Sequence, residues 1–183
     1  MVYDPIFPGE LQSIASALLP KLAVGELSPA HEGFHVLVQS QPLSAPSRVY
    51  YDTGRLRDFI QSSDADERTL ALCLGTRHWD GYVREECLRG VIRVDRPWVA
   101  PFTVQLIGEY VVEIVQVVAA NLGALNKIAY GEFVQENPKF MATIRRRVAS
   151  YWSCYYRTQF PKLDEYPGFR VLQEIEGMRE SAP

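Results

Sequence analysis

Histidine, cysteine and methionine are scarce in this chain, with three of each among 183 residues. Cys73, Cys87 and Cys154 are an odd set without C-x-x-C spacing, which argues against disulfide staples and for reduced thiols in a cytoplasmic protein. Charge of one sign is also missing. The 19 Lys and Arg against 22 Asp and Glu leave a net −3, no broad electrostatic footprint for DNA or RNA. There is no glycine-rich phosphate loop and no G-x-S-x-G elbow, so no cofactor is expected. The opening MVYDPIFPGEL lacks the positive charge and apolar run of a secretory leader, and none is expected.

What remains is an ordinary globular composition, 47% apolar and 22% charged. One domain over residues 1–183 is the expectation, long enough to bury a core without metal or disulfides. Residues 10–24 place Leu11, Ile14, Ala15, Leu18 and Leu22 at helical spacing, with Pro20 ending or kinking the helix. Residues 27–50 break the pattern with Pro29, Gly33, Pro42 and Pro46 and read as a loop-rich insertion, holding at most a short strand or helical turn around Phe34–Val38. From Asp52 onward helix follows helix. Asp64 or Asp66 can cap one, and Asp80 can cap the next.

The segment D-G-Y-V-R-E-E-C-L-R-G-V-I resembles the second helix of a HEAT repeat, with Asp80, Val83, Arg84, Cys87 and Leu88 at the matching positions. The resemblance covers residues 66–92. It implies an all-α fold of antiparallel helical hairpins stacked as a right-handed HEAT-like bundle, one curved face being free for a partner.

Residues 98–122 read as one central buried helix. Gln105, Glu109, Glu113 and Gln116 fall within about 80° of one another at about 100° per residue. A narrow stripe to water explains them better than a membrane span, in which two central glutamates are costly. Glu109 and Glu113 then form an acidic ridge for a protein partner. Leu122-Gly123 closes that helix, and residues 125–135 form a shorter one. Asn137 caps a long C-terminal helix over 138–160, with Pro138 in its first position. Phe140, Ile144, Val148, Tyr151 and Tyr155 share its core face, while Lys139, Arg146 and Arg157 form an opposite basic stripe. That stripe is a solvated face first and a nucleic-acid surface second. Arg145, Trp152 and Tyr156 sit at the border of core and water, where interface anchors are usual.

One motif points to chemistry. A-H-E-G-F-H contains His-Glu-x-x-His, in which His31 and His35 would hold zinc and Glu32 would act as base on the bound water. The pattern needs a helix through the motif. Pro29 and Gly33 oppose one, and no third ligand is marked, although Glu67 is available. A metal is therefore not expected. The residues describe a non-enzymatic, cytoplasmic protein-interaction module. An inhibitor or immunity protein that caps a toxin or enzyme suits its size and charge. Zinc hydrolysis and nucleic-acid binding are the alternatives.

Overall fold

The computed structural model describes residues 5–23 and 33–181. Apolar side chains three and four apart give nine α-helices among them, and one two-stranded sheet. The protein is therefore mostly helical. Helix α1 (Gln12–Leu22) runs two residues past Pro20 before it stops. Three aspartates begin helices as their type predicts. Asp52 caps α2 (Thr53–Ser62), Asp64 caps α3 (Ala65–Gly75) and Asp80 caps α4 (Gly81–Val91), each accepting a backbone N–H at 2.8–2.9 Å.

The stretch around residues 33–46 corrects the expectation of a loop. Strands β1 (Gly33–Val38) and β2 (Gln41–Pro46) form an antiparallel hairpin closed by Gln39 and Ser40, whose φ angles are 50° and 64°. Two left-handed residues suit the twist of a tight hairpin. Pro42 and Pro46 face Leu37 and Gly33 in the register, alternate to the pair Val38–Gln41 that closes the turn. At those alternate positions the backbone N points away from the partner strand, so the prolines cost the ladder no hydrogen bond. Phe34, on the buried face, packs between Phe102 and Phe140 at centroid distances of 6.0 and 5.6 Å.

Helices α3 and α4 form an antiparallel hairpin in which Gly75 faces Cys87 and Gly90 faces Leu72. A Cβ on Gly75 would overlap the Cys87 sulfur, so glycine is what lets the helices approach. The expected helix over 98–122 is broken. A 3-10 turn (Pro97–Val99) leads into α5 (Ala100–Ile107), and the chain turns at Gly108–Val111 before α6 (Val112–Asn121). All eight residues of α5 are buried, and its core extends to α6, α7 (Lys127–Glu136), α8 (Pro138–Tyr151) and α9 (Pro167–Gly177).

The long helix expected over 138–160 ends at Tyr151 and passes into a π-helical turn, Trp152–Tyr156. Asn137 does not cap it. Its side-chain amide accepts from Leu37 N–H at 2.7 Å and donates to the Leu37 and Phe133 carbonyls at 2.7 and 2.8 Å, occupying the outer edge of β1. The adjacent Glu136 carboxylate takes the turn amides of Gln39 and Ser40 at 3.0 and 2.7 Å. Among the described residues no single helix is long and apolar enough to cross a membrane.

Candidate functional site

The break between α5 and α6 encloses a buried cluster of charged side chains. Glu109 follows Gly108 there and is 4% exposed, turned inward rather than to water. This corrects the solvent stripe expected over residues 105–116: Gln105 and Glu109 are buried, and only Glu113 and Gln116 reach solvent. Three arginines surround the Glu109 carboxylate. Arg77 Nη2 donates to Oε1 at 2.5 Å, and Arg48 Nη1 donates to the same oxygen at 3.0 Å. Arg84 Nε lies 2.9 Å from Oε2, close enough for an ion pair although its N–H is not aimed along that line.

Burial alone would raise the Glu109 pKa. Arg77, Arg84 and Arg48 together outweigh it and hold the carboxyl below its ordinary value. Arg77 is fully buried, and desolvation lowers its guanidinium to about 10 despite the pull of Glu109. The same arginines tie the α3–α4 turn. Arg84 Nη1 donates to the carbonyls of His78 and Trp79, both at 2.9 Å. His78, fully buried, donates through Nε2 to the Tyr51 carbonyl at 2.8 Å and accepts at Nδ1 from Asp80 N–H at 3.1 Å. Both ring nitrogens are thereby taken. The role of the cluster is to lock the turn to the break.

A second lock comes from the π-helical turn. The Tyr156 hydroxyl donates to the Tyr110 carbonyl and accepts from Val112 N–H at 3.2 Å, bridging the two sides of the break. Trp152 Nε1 donates to the Phe160 carbonyl at 2.8 Å, and Arg157 lies 5.4 Å over the Trp152 ring. Both aromatics are half-buried and committed to the fold, and Arg145 is held by Glu176 at 2.5 Å.

A π turn adds a residue to the hydrogen-bonded ring and so rotates the side chains beyond it. Val148, Trp152 and Tyr156 face inward, while Tyr155, expected in the core, is 67% exposed. Tyr155 lies 6.2 Å from Tyr151 and 6.4 Å from Tyr110, which is itself 52% exposed. From Tyr110 the surface continues through Val111 and Glu113 to a groove of about 390 Å³ that these two residues share with Asp80, Gly81, Tyr82 and Glu85. Tyr82 is 83% exposed, and Trp79, beside Asp80, is exposed too. Six large apolar side chains are exposed among the described residues; of these, Tyr110 and Tyr155 are neighbours, and Tyr82 lines the groove with Val111, the residue after Tyr110. Of the groove's residues, the sequence pattern marks only Glu113 as a binding candidate. The run Tyr151, Tyr155, Tyr156 in one helix, more tyrosines than one core face accepts, is the signal that points to the rest.

The zinc motif is not presented as its chemistry needs. His35 lies exposed on β1, and Gly33–Val38 is extended; His31 and Glu32 lie outside the described residues. Among the described residues no three His, Cys, Asp or Glu side chains stand together as a ligand set. Glu67 spends its backbone N–H on the α3 cap and stands in the first turn of that helix. Lys139, Arg146 and Arg157 are exposed along α8 and the turn after it. Cys73 and Cys87 are buried and Cys154 is exposed. No family model, curated protein or solved structure matches the chain.

Proposed function

We propose that the chain is a non-enzymatic protein-binding module whose docking surface is the aromatic end formed by Trp79, Tyr82, Tyr110 and Tyr155. The exposure of these rings, with Tyr110 beside Tyr155 and Tyr82 in the groove next to Val111, is the observation that carries it. Exposed aromatics are the side chains that most often anchor interfaces, because a large area is buried at little conformational cost. The surface stands on rigid elements, since the Glu109 cluster and the Tyr156 hydroxyl fix the backbone on either side of the break. Preorganisation of that kind reduces the entropy lost on binding. The α3–α4 hairpin, with α2 beside one helix and α6 beside the other, is read as a HEAT-like unit with this end as its free face. The buried arginines and glutamate support a structural role, since Arg77 and Arg84 converge on Glu109 and all three are withdrawn from solvent.

An inhibitor or immunity protein of the cytoplasm, capping a toxin or enzyme, fits the size and the net −3. The test is affinity capture from native lysate by the tagged chain, followed by binding of the purified captured protein to wild type and to Tyr82→Ser/Tyr155→Ser. One stoichiometric partner that loses affinity about a hundredfold, as two anchor losses imply, supports the function. A partner indifferent to both substitutions contradicts the surface.

A further inference from the structure

The groove lined by Tyr82 and Val111 has a sign. Its walls are Tyr82, Gly81 and Val111, and its charged residues are Asp80, Glu85 and Glu113, with no lysine or arginine among its lining. Each acid has a local role. Asp80 Oδ1 caps α4 at Tyr82 N–H, Glu85 pairs with Arg89 at 2.7 Å, and Glu113 stands in the first turn of α6. Those roles leave negative charge at the groove, because Asp80 and Glu113 have no ion-pair partner among the described residues. Arg84 and Arg48 are engaged in the interior instead, Arg84 on Glu109 and two carbonyls, Arg48 on Glu109 and the Ser47 carbonyl.

Resting on the protein-binding function above, we infer that this groove receives an arginine or lysine side chain from an extended basic segment of the partner protein. The charged head would sit between Glu113 and Glu85, the aliphatic stem along Tyr82 and Val111. A cation beside an aromatic ring and a carboxylate gains from both. The surrounding rings Trp79, Tyr110 and Tyr155 bury the flanking residues of the segment, and the concave volume, about 390 Å³, accommodates one long side chain with its backbone. Charge complementarity selects this occupant over an acidic segment, which would meet like charge without counterions.

The probe is a displayed library of random twelve-residue peptides selected on the immobilised full-length chain. Enriched peptides are expected to share an arginine or lysine. They are expected to bind Glu85→Gln/Glu113→Gln about tenfold or more weakly than wild type, a loss near 1.4 kcal/mol, and to weaken further with salt. Glu174→Gln/Glu180→Gln, an equal charge change on exposed residues elsewhere, should leave their affinity unchanged. All substitutions are on the surface, and unchanged melting confirms that each variant folds. Peptides without a basic residue that are lost with Tyr82→Ser overturn the charge assignment while leaving the protein-binding function standing. Basic peptides equally weakened by both charge variants overturn the groove as their site. Enrichment that no variant at this end disturbs, or self-association of the chain abolished by Tyr82→Ser, overturns the proposal; the former overturns the aromatic surface with it.

Discussion

Arg77 and Glu109 meet in the interior at 2.5 Å, the one fully buried and the other 4% exposed, and join the α3–α4 turn to the break between α5 and α6. The pair cannot be separated cheaply. Glu109→Gln leaves three guanidinium groups without their counter-charge and is expected to cost about 3–5 kcal/mol, as loss of one partner of a buried pair does. Arg48→Ala, at a residue 29% exposed, is expected to cost about 1 kcal/mol or less. Urea unfolding of the two variants checks the order, and comparable losses would show that burial does not set the strength of the cluster.

The same cluster fixes a direction of pH dependence. The Glu109 pKa is lower folded than unfolded, so on acidification the unfolded chain takes up that proton first. Its contribution is full above the ordinary carboxylate value and is lost as pH falls through the depressed folded value. Wild-type stability should therefore decline at acid pH more steeply than that of Glu109→Gln, which has no proton to gain there. Denaturant midpoints from pH 7 down to pH 3 measure the difference.

Tyr156→Phe removes one oxygen that serves two backbone groups, the Tyr110 carbonyl and the Val112 N–H. The site is half-buried and water can replace part of the loss, so about 1–2 kcal/mol is expected. Amide exchange at Val112 should accelerate while that of α3 stays as it was.

Asn137→Ala opens the outer edge of β1. It removes the acceptor of Leu37 N–H and the donor to Leu37 C=O, across 100 residues of chain. A loss of about 1–3 kcal/mol is expected for leaving such groups unpaired. Leu37 should lose exchange protection, and Asn137→Asp, which keeps only the acceptor, should lie between Ala and wild type.

The thiols should divide by burial. Desolvation pushes the Cys73 thiol well above its ordinary value and the Cys87 thiol to about 12, while Cys154 is exposed. A thiol reagent at pH 8 should titrate one group per native chain and three in denaturant.

Helix caps and faces were legible because they depend on a few neighbouring residues. Asp64 and Asp80 do at their helices what their positions predict. The break at Gly108–Val111 was not. Glu109 keeps helical register with Gln105 and Glu113, and only its partners, 25 to 61 residues away in sequence, turn it inward. Asn137 misled for the same reason: its cap-like place before Pro138 is local, whereas its amide serves a strand far upstream. The hairpin hid behind Pro42 and Pro46, which deny a strand only if their nitrogens face its partner. The aromatic end was half visible. The spacing of Tyr156 marks it as a border residue, but the π turn that sends Tyr155 outward is a tertiary outcome, set by Trp152 and Tyr156 docking on Phe160 and Tyr166.

Hydrogen–deuterium exchange of the chain alone and bound to its captured partner tests the docking surface most directly. Protection confined to residues 79–85, 110–116 and 151–156 is the predicted result. Protection along Lys139, Arg146 and Arg157 with residues 79–85 unchanged would contradict it, and would move the functional face to the basic side of α8.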